Sequence, residues 1–336
     1  MSHYSNSYYT ATMRYASPRP TLIGNVQADV CVIGGGLAGL STALELVSRG
    51  RSVVLLEAAR VAWGASGRNG GFVLQGWSEG LSSIERRCGT ETASALFKLS
   101  LEGVDIVRET IDQHQLEGCA PTSGKLSVLR YDDGDNLQRL RDRMAKEFNF
   151  EMEYLDTHAI RARLNTERYF HGLRDSHGFH FHPLNYCLGV AELIEAKGGI
   201  LYENSPMIRV ESQGDRHHVV TQQGVIDCGN VVHCCGGYGG PEFGRLRRAF
   251  LPIATYVVLT EHLGDRLRDT IRTTDAVGDN RRASDYYRVV DGDRLLWGGH
   301  ITTRNVQDEK RLAHMLTDDI LNVFPQLRGL QIEKAW

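Results

Sequence analysis

The sequence predicts an α/β protein of two domains, one of them a Rossmann-like domain built on a βαβ unit with a G-x-G-x-x-G turn. Three observations carry this. An apolar run, Val30–Ile33, ends directly on glycines at 34, 36 and 39. The residues after it repeat with helical period and lead into a second apolar run that closes on an acid, Glu57. Far along the chain, Val225–Cys235 is another apolar strand running into a second glycine-rich turn, Gly-Gly-Tyr-Gly-Gly. The stretch between has its own pattern and no phosphate loop, so it belongs to a second domain.

Val30–Ile33 is short and rich in β-branched residues, as a buried strand requires. Gly34 permits a tight turn, Gly36 lets backbone approach a pyrophosphate, and Gly39 lets helix pack on strand. Leu40, Ala43, Leu44 and Val47 fall at i, i+3, i+4 and i+7, so one face of the helix is apolar. Its N-terminus, with unpaired N–H groups and a positive dipole end, faces the turn and suits a phosphate. Gly50 is placed to stop the helix. Ser52–Leu56 is the second strand, and Glu57 lies at the distance where such units hold a ribose 2′-hydroxyl. A carboxylate there repels a 2′-phosphate. FAD and NAD both satisfy these residues.

The chain has 336 residues, enough for two domains with a substantial core. Hydrophobic content of 41% and charged content of 24% are ordinary for a globular protein. A net charge of −3 implies neither nucleic acid nor an anionic membrane as partner. Lysine occurs six times and arginine supplies the rest of the 38 basic residues, yet they form no basic block. Seven cysteines with no C-x-x-C predict a reduced protein with mostly buried thiols, the Cys234–Cys235 pair included. The opening residues have no apolar core of signal-peptide length and no run reaches membrane-spanning length, so a cytoplasmic location is expected.

Residues 1–28 read as a polar, tyrosine-rich arm. Val61–Phe72 holds four glycines with Ser66, Arg68 and Asn69; after a dinucleotide unit, such small residues let backbone pass close to a flat ring system. Residues 91–117 predict a helix, 124–130 a strand and 135–148 a charged helix. Leu184–Lys197 is helical and stops at Gly198-Gly199. Strands follow at Ile200–Glu203, Met207–Glu211, His218–Gln222 and Val225–Cys235. Beyond Phe250 the pattern gives strands at Ala254–Thr260 and Arg294–Trp297, then a helix from Asp308 to Phe324 closed by Pro325.

Three signals fail on inspection. The stretch from Gly118 is P-loop-like, but its glycines are one residue too far apart and Leu126 follows the lysine where Ser or Thr belongs. Gly76-Trp77-Ser78-Glu79-Gly80 matches G-x-S-x-G but follows a glycine-rich loop rather than a buried strand. His171, His177, His180 and His182 cluster without a carboxylate or cysteine partner at metal-ligand spacing, so no metal site is expected.

Taken together, DVCVIGGGLAGLSTALEL, VVLLEAARVAWGASGRNGG, FHFHPLNY at 179–186, VVHCCGGYGG and RLLWGGH at 294–300 resemble the FAD-dependent amine and D-amino-acid oxidoreductases, and the likeness runs from SYYTAT to Trp336. The resemblance implies FAD as cofactor. It places Gly34, Gly36, Leu37 and Gly39 on the pyrophosphate and Glu57 on the adenosine ribose, with Arg60 just beyond. It implies that Ser66, Gly67, Arg68, Asn69 and Gly70 line the pyrophosphate and isoalloxazine, that the Met207 backbone meets adenine, and that Gly236 ends a strand near the cofactor. The implied reaction moves a hydride from the α-carbon of a small-molecule amine, a gamma-glutamylated polyamine by preference, to flavin N5, after which the imine is hydrolysed. Substrate-pocket candidates are Trp77, His182, Tyr256, Tyr287 and Arg288, the last because a guanidinium suits a glutamyl carboxylate. No residue is assigned as the catalytic group.

Sarcosine-oxidase-like relatives carry a lysine in the strand matching RLLWGGH, where this chain has Leu and Trp, so the electron acceptor stays open. The family also continues past the position of Trp336 with a further flavin-contacting segment. The resulting expectation is a Rossmann-like FAD-binding domain, residues 1–75 and 184–242, and a mainly antiparallel α+β substrate domain, residues 76–183 and 243–336. Two alternatives stand beside it: an NAD-linked dehydrogenase, and a non-catalytic flavin-fold protein.

Overall fold

The computed structural model describes residues 3–240, 242, 244–303, 306 and 308–336. Contacts divide the chain into two compact units. One comprises residues up to Asn69 with Leu116–Cys119 and His182–Ile253; the other comprises Gly70–Gln115, Ala120–Phe181 and Ala254–Trp336.

The first unit is organised on a six-stranded sheet. Its order from edge to edge is Ile200–Tyr202, Val53–Leu56, Gly24–Ile33, Gly224–His233, Arg216–Val220 and Arg209–Gln213. The first four strands are mutually parallel and the last two form an antiparallel meander. Val53–Leu56 is buried at every position, which is why it reads as an unbroken apolar run. Side chains of the central pair alternate in direction: Cys31, Ile33, Val54 and Leu56 join a core with Met207, Val219 and Ile226 on one face. The helix Leu37–Ser48 buries Leu40, Ala43 and Val47, the stripe that the sequence marks. It stops as expected. Gly50 takes φ +76°, its N–H donates to Val47 O, and Arg51 N–H donates to Leu46 O, a Schellman termination.

Gly24–Ile33 is longer than the predicted Val30–Ile33, because its polar first half pairs in parallel with Gly224–Cys228. Residues 3–22 form an ordered arm. Ser7 caps a short helix, Tyr8–Thr12, and Tyr9 and Leu22 are fully buried.

The second unit carries a nine-stranded sheet, ordered Ile332–Ala335, Ala254–Thr260, Arg294–Thr302, Tyr286–Val290, Ala276–Asp279, Thr122–Val128, Gly172–His180 and Phe72–Val73, with Glu153–Leu155 also paired to Gly172–His180. Among the described residues only Ala276–Asp279 with Thr122–Val128 is parallel, so the sheet is mainly antiparallel as expected. Its principal core packs Tyr287 flat on Trp297, ring centroids 4.4 Å apart and planes 3° apart, with Phe324 edge-on beside both. The amphipathic helix Glu309–Val323 supplies Leu312, Leu316 and Ile320 to this core and is capped by Asp308.

The unit boundaries differ from the expected ones for local reasons. Phe72–Val73 pairs with Phe179 and His180, which moves the first boundary from 75 to 69. His182 is the N-cap of Pro183–Ala196 and goes with that helix. Leu116–Cys119 returns to the first unit, where Asn185 Nδ2 donates to Gly118 O.

Candidate dinucleotide-binding site

A cavity of about 810 Å³ lies within the first unit, over the ends of its parallel strands. Ligands of open α/β sheets sit at the carboxyl ends of the strands. Gly34 leaves the first strand at φ +110°, and a Cβ there would lie 2.7 Å from Cys234 O. A Cβ on Gly36 would reach 2.8 Å from Ser66 Oγ, and one on Gly39 would collide with Gly34 O at 1.8 Å. Each glycine of the motif is therefore required by a contact, and their absent side chains leave the first turn of Leu37–Ser48 open toward the cavity. The N-terminal N–H groups of a helix have no partners within it. Leu37 N–H is met by Ser66 Oγ at 2.9 Å, so Ser66 holds the small-residue loop against the helix start.

Glu57 closes the turn from the other side. Its Oε2 accepts from Gly35 N–H at 2.7 Å and its Oε1 from Ala59 N–H at 2.8 Å. Burial pushes this carboxyl up, while backbone N–H groups, those of Ala59 and Gly35 foremost, pull the other way. Each oxygen keeps a second lone pair, so the side chain that shapes the turn can also accept from a ribose hydroxyl. Met207 and Gly236 line the cavity, and Met207 precedes its strand, which begins at Arg209.

Other expected residues stand elsewhere. Arg60 is not on the cavity wall: its Nε lies 2.6 Å from Glu203 Oε2, and its guanidinium covers the Tyr4 ring. Gly67 is buried, and a Cβ there would meet Ala62 O at 2.3 Å. Asn69 Nδ2 donates to Ala65 O and Ser66 O, fixing the loop's shape from within. Gly70 falls in the second unit, where a Cβ would meet the Tyr286 ring at 2.6 Å.

The pocket candidates separate in the same way. Trp77 is 50% exposed, with its Nε1 donating to Leu96 O. His182 is a helix cap: its Nδ1 accepts from Asn185 N–H and its Nε2 bonds Thr12 Oγ1. Tyr256 and Tyr287 are buried members of the second unit's core, so packing accounts for both, and Tyr256 Oη accepts from Val306 N–H. Arg288 is 5% exposed, with Nε donating to Gly70 O, Nη2 to Phe181 O and Nη1 to His180 Nδ1. These bonds make it a staple of its own unit. His180 Nε2 in turn bonds Thr274 O. Burial first, then the Arg288 charge, lower His180 from 6.5 to about 4, so the ring is neutral with Nδ1 as acceptor.

Sequence reasoning missed Trp63, Cys234, Cys235 and Tyr238 on the cavity wall. The second glycine-rich turn was the available signal for Tyr238. The thiols are free, and burial raises both Cys234 and Cys235. Among the described residues no group of three or more His, Cys, Asp or Glu is placed to hold a metal ion, and no helix is long and apolar enough to cross a membrane. Gly76–Gly80 lies in a loop before the helix Leu81–Cys88, with no buried strand leading in.

A glycine-floored cavity at the ends of a parallel sheet, closed by an acid, defines a dinucleotide-binding protein. The chain belongs to the FAD dependent oxidoreductase family, which it matches over residues 29–336. The cofactor is therefore FAD, and the NAD-linked alternative falls.

Among curated relatives, gamma-glutamylputrescine oxidoreductase of Escherichia coli (strain K12) is 35% identical over 339 residues, covering 100% of this chain and 79% of that protein. A probable oxidoreductase, OrdL, of Haemophilus influenzae is 32% identical and covers 98% of this chain and 77% of its own length. Among solved structures, L-amino acid deaminase from Proteus vulgaris has a TM-score of 0.72 at 17% identity, covering 96% of this chain and 85% of that one. Glycine oxidase from Bacillus cereus has a TM-score of 0.69 at 18% identity, with coverage of 92% and 81%. At such identities the structural likeness establishes the fold.

Proposed function

We propose that this protein oxidises the amine of a gamma-glutamylated polyamine such as gamma-glutamylputrescine. The observation that carries the reading is the 35% identity, spanning the whole chain, to the Escherichia coli gamma-glutamylputrescine oxidoreductase. The glycine-lined cavity of the first unit supports it. Bound FAD would supply the acceptor for a hydride from the carbon beside the terminal amine nitrogen, and addition of water to the imine so formed releases an aldehyde and ammonia.

The chain's own residues bind and orient. Gly34, Gly36 and the open first turn of Leu37–Ser48 receive the diphosphate. Glu57 accepts from the adenosine ribose, and the Met207 backbone borders the adenine. Ser66 holds the small-residue loop in place beside them. Of the pocket candidates, Trp77 keeps an exposed ring and is proposed as a substrate contact.

The test is anaerobic titration of the FAD-loaded protein with gamma-glutamylputrescine, with putrescine, glycine and L-proline as comparators. Bleaching of the flavin band by gamma-glutamylputrescine at the lowest concentration is the expected result. Bleaching by glycine or proline in preference to it would reassign the substrate, and bleaching by none would favour the non-catalytic alternative. Admitting air afterwards shows whether oxygen restores the band.

A further inference from the structure

The cavity of the first unit has two walls that the sequence marks as glycine-rich, Gly64–Ser66 and Gly236–Tyr238. One side chain joins them. The Tyr238 ring lies against Gly64, where a Cβ would meet its Cε2 at 2.9 Å, so a side chain there would make the ring shift. Its hydroxyl accepts a hydrogen bond from Arg68 Nη2 at 2.9 Å. The same ring stands edge-on to Trp63 with centroids 6.0 Å apart, and the Arg68 guanidinium sits 5.0 Å from the centroid of the Trp63 ring. Trp63 is itself anchored, its Nε1 donating to His3 O at 2.8 Å.

Tyr238 lines the cavity yet is 56% exposed, so this cluster stands at the rim. A charge-assisted bond and a cation–π contact are directional enough to hold two loops in one register, and exposed enough to part.

We propose that Tyr238 and Arg68 form a clasp that retains the dinucleotide, tying the two glycine-rich walls together at the rim so that bound FAD leaves only when the clasp parts. The inference rests on the reading of this cavity as the FAD site. It assigns Tyr238 and Arg68 a retention role distinct from the cradle itself, which Gly34, Gly36 and Glu57 supply. It also gives Gly64 a reason: a side chain there would displace the Tyr238 ring.

The experiment measures the rate of FAD release, followed by the rise of free-flavin fluorescence on dilution, in the unsubstituted protein and three variants. Tyr238→Phe removes the hydroxyl and keeps the ring. Tyr238→Ala removes both, and Gly64→Ala pushes the ring off its seat. Release is expected to quicken about fivefold in Tyr238→Phe and about tenfold in the other two, the scale of one net hydrogen bond plus a ring contact. The melting temperature of the flavin-free protein should stay unchanged in Tyr238→Phe and Tyr238→Ala. If the unsubstituted protein takes up no FAD, the cavity reading falls and the clasp with it. If it takes up FAD but all variants release it at the parent rate, or release quickens only in step with a lowered melting temperature, the clasp alone is overturned.

Discussion

Protonating His180 should unfasten the second unit from the inside, and the cost can be worked from its contacts. The ring is 4% exposed and bonded on both nitrogens: Nε2 to Thr274 O and Nδ1 to Arg288 Nη1. Arg288 has only N–H groups to offer, so Nδ1 must carry the lone pair and Nε2 the proton. A second proton would have to enter between the ring and a guanidinium. Burial, then the Arg288 charge, therefore lower the group from 6.5 to about 4, against a smaller upward pull from the Thr274 bond and Asp275. The folded protein thus takes up this proton later than the unfolded chain as pH falls. The resulting stability is fully present above the unfolded value, declines as pH drops below 6.5 and is exhausted once pH passes about 4. At roughly 1.4 kcal/mol per pH unit this is at most about 3 kcal/mol. The perturbation is His180→Asn, whose Oδ1 can accept from Arg288 without titrating. Urea unfolding of both proteins at several pH values between 7 and 4 gives the assay, and the difference between the two curves cancels the other titrating groups. The gap should shrink steadily toward acid pH as the unsubstituted protein loses its advantage. A difference that stays constant across that range would refute the neutral-histidine assignment.

Further outcomes follow from single contacts. Gly39→Ala drives a Cβ to 1.8 Å from Gly34 O, and should abolish FAD uptake in equilibrium dialysis. Glu203 is fully buried and holds Arg60 Nε, Val61 N–H and Arg19 N–H; Glu203→Ala leaves Arg60 without its carboxylate and should cost about 3 kcal/mol by urea unfolding. Arg288→Ala should lower the melting temperature while leaving the apparent affinity for a gamma-glutamyl amine unchanged, because its bonds go to Gly70 O, Phe181 O and His180. A weakened substrate affinity with no loss of stability would restore Arg288 as the carboxylate ligand.

The part of the fold that could be read from sequence is the part whose burial follows a simple rule. Val53–Leu56 is buried on both faces and shows as four apolar residues; Leu37–Ser48 is buried on one and shows as a 3.6-residue period. Gly172–His180 escaped because its residues are GLRDSHGFH: Arg174 is paired with Asp275, and Asp175 accepts from His177 and Gly178 N–H. Such polar groups enter a sheet only when partners far along the chain satisfy them, and no local pattern announces that. Tyr286–Val290 escaped for the same reason, with Arg288 in its centre. The arm before Leu22 showed no element in its sequence because its anchors, Glu203 and Asn185, lie far downstream.

The site divides along the same line, and this bears on how much a motif can say. Gly34, Gly36 and Gly39 could be read from the motif because backbone geometry constrains residue type tightly: a Cβ at Gly36 or Gly39 meets another atom at 2.8 or 1.8 Å. Arginines carry no such constraint. Arg60, Arg68 and Arg288 all looked like ligand-binding donors, yet each guanidinium is committed to the protein: to Glu203, to Tyr238 and Trp63, and to Gly70 and Phe181. A long cation can reach a carbonyl, a carboxylate or a ring in many directions, so its position in sequence does not say which it takes. In this chain the arginines hold loops while the glycines make room, and substrate selection must therefore be sought in side chains that neither task has claimed. Trp77, whose indole N–H is fixed on Leu96 O while its ring is half exposed, meets that condition. Trp77→Ala should raise KM for a gamma-glutamyl amine more than it lowers kcat, and an unchanged KM would exclude it.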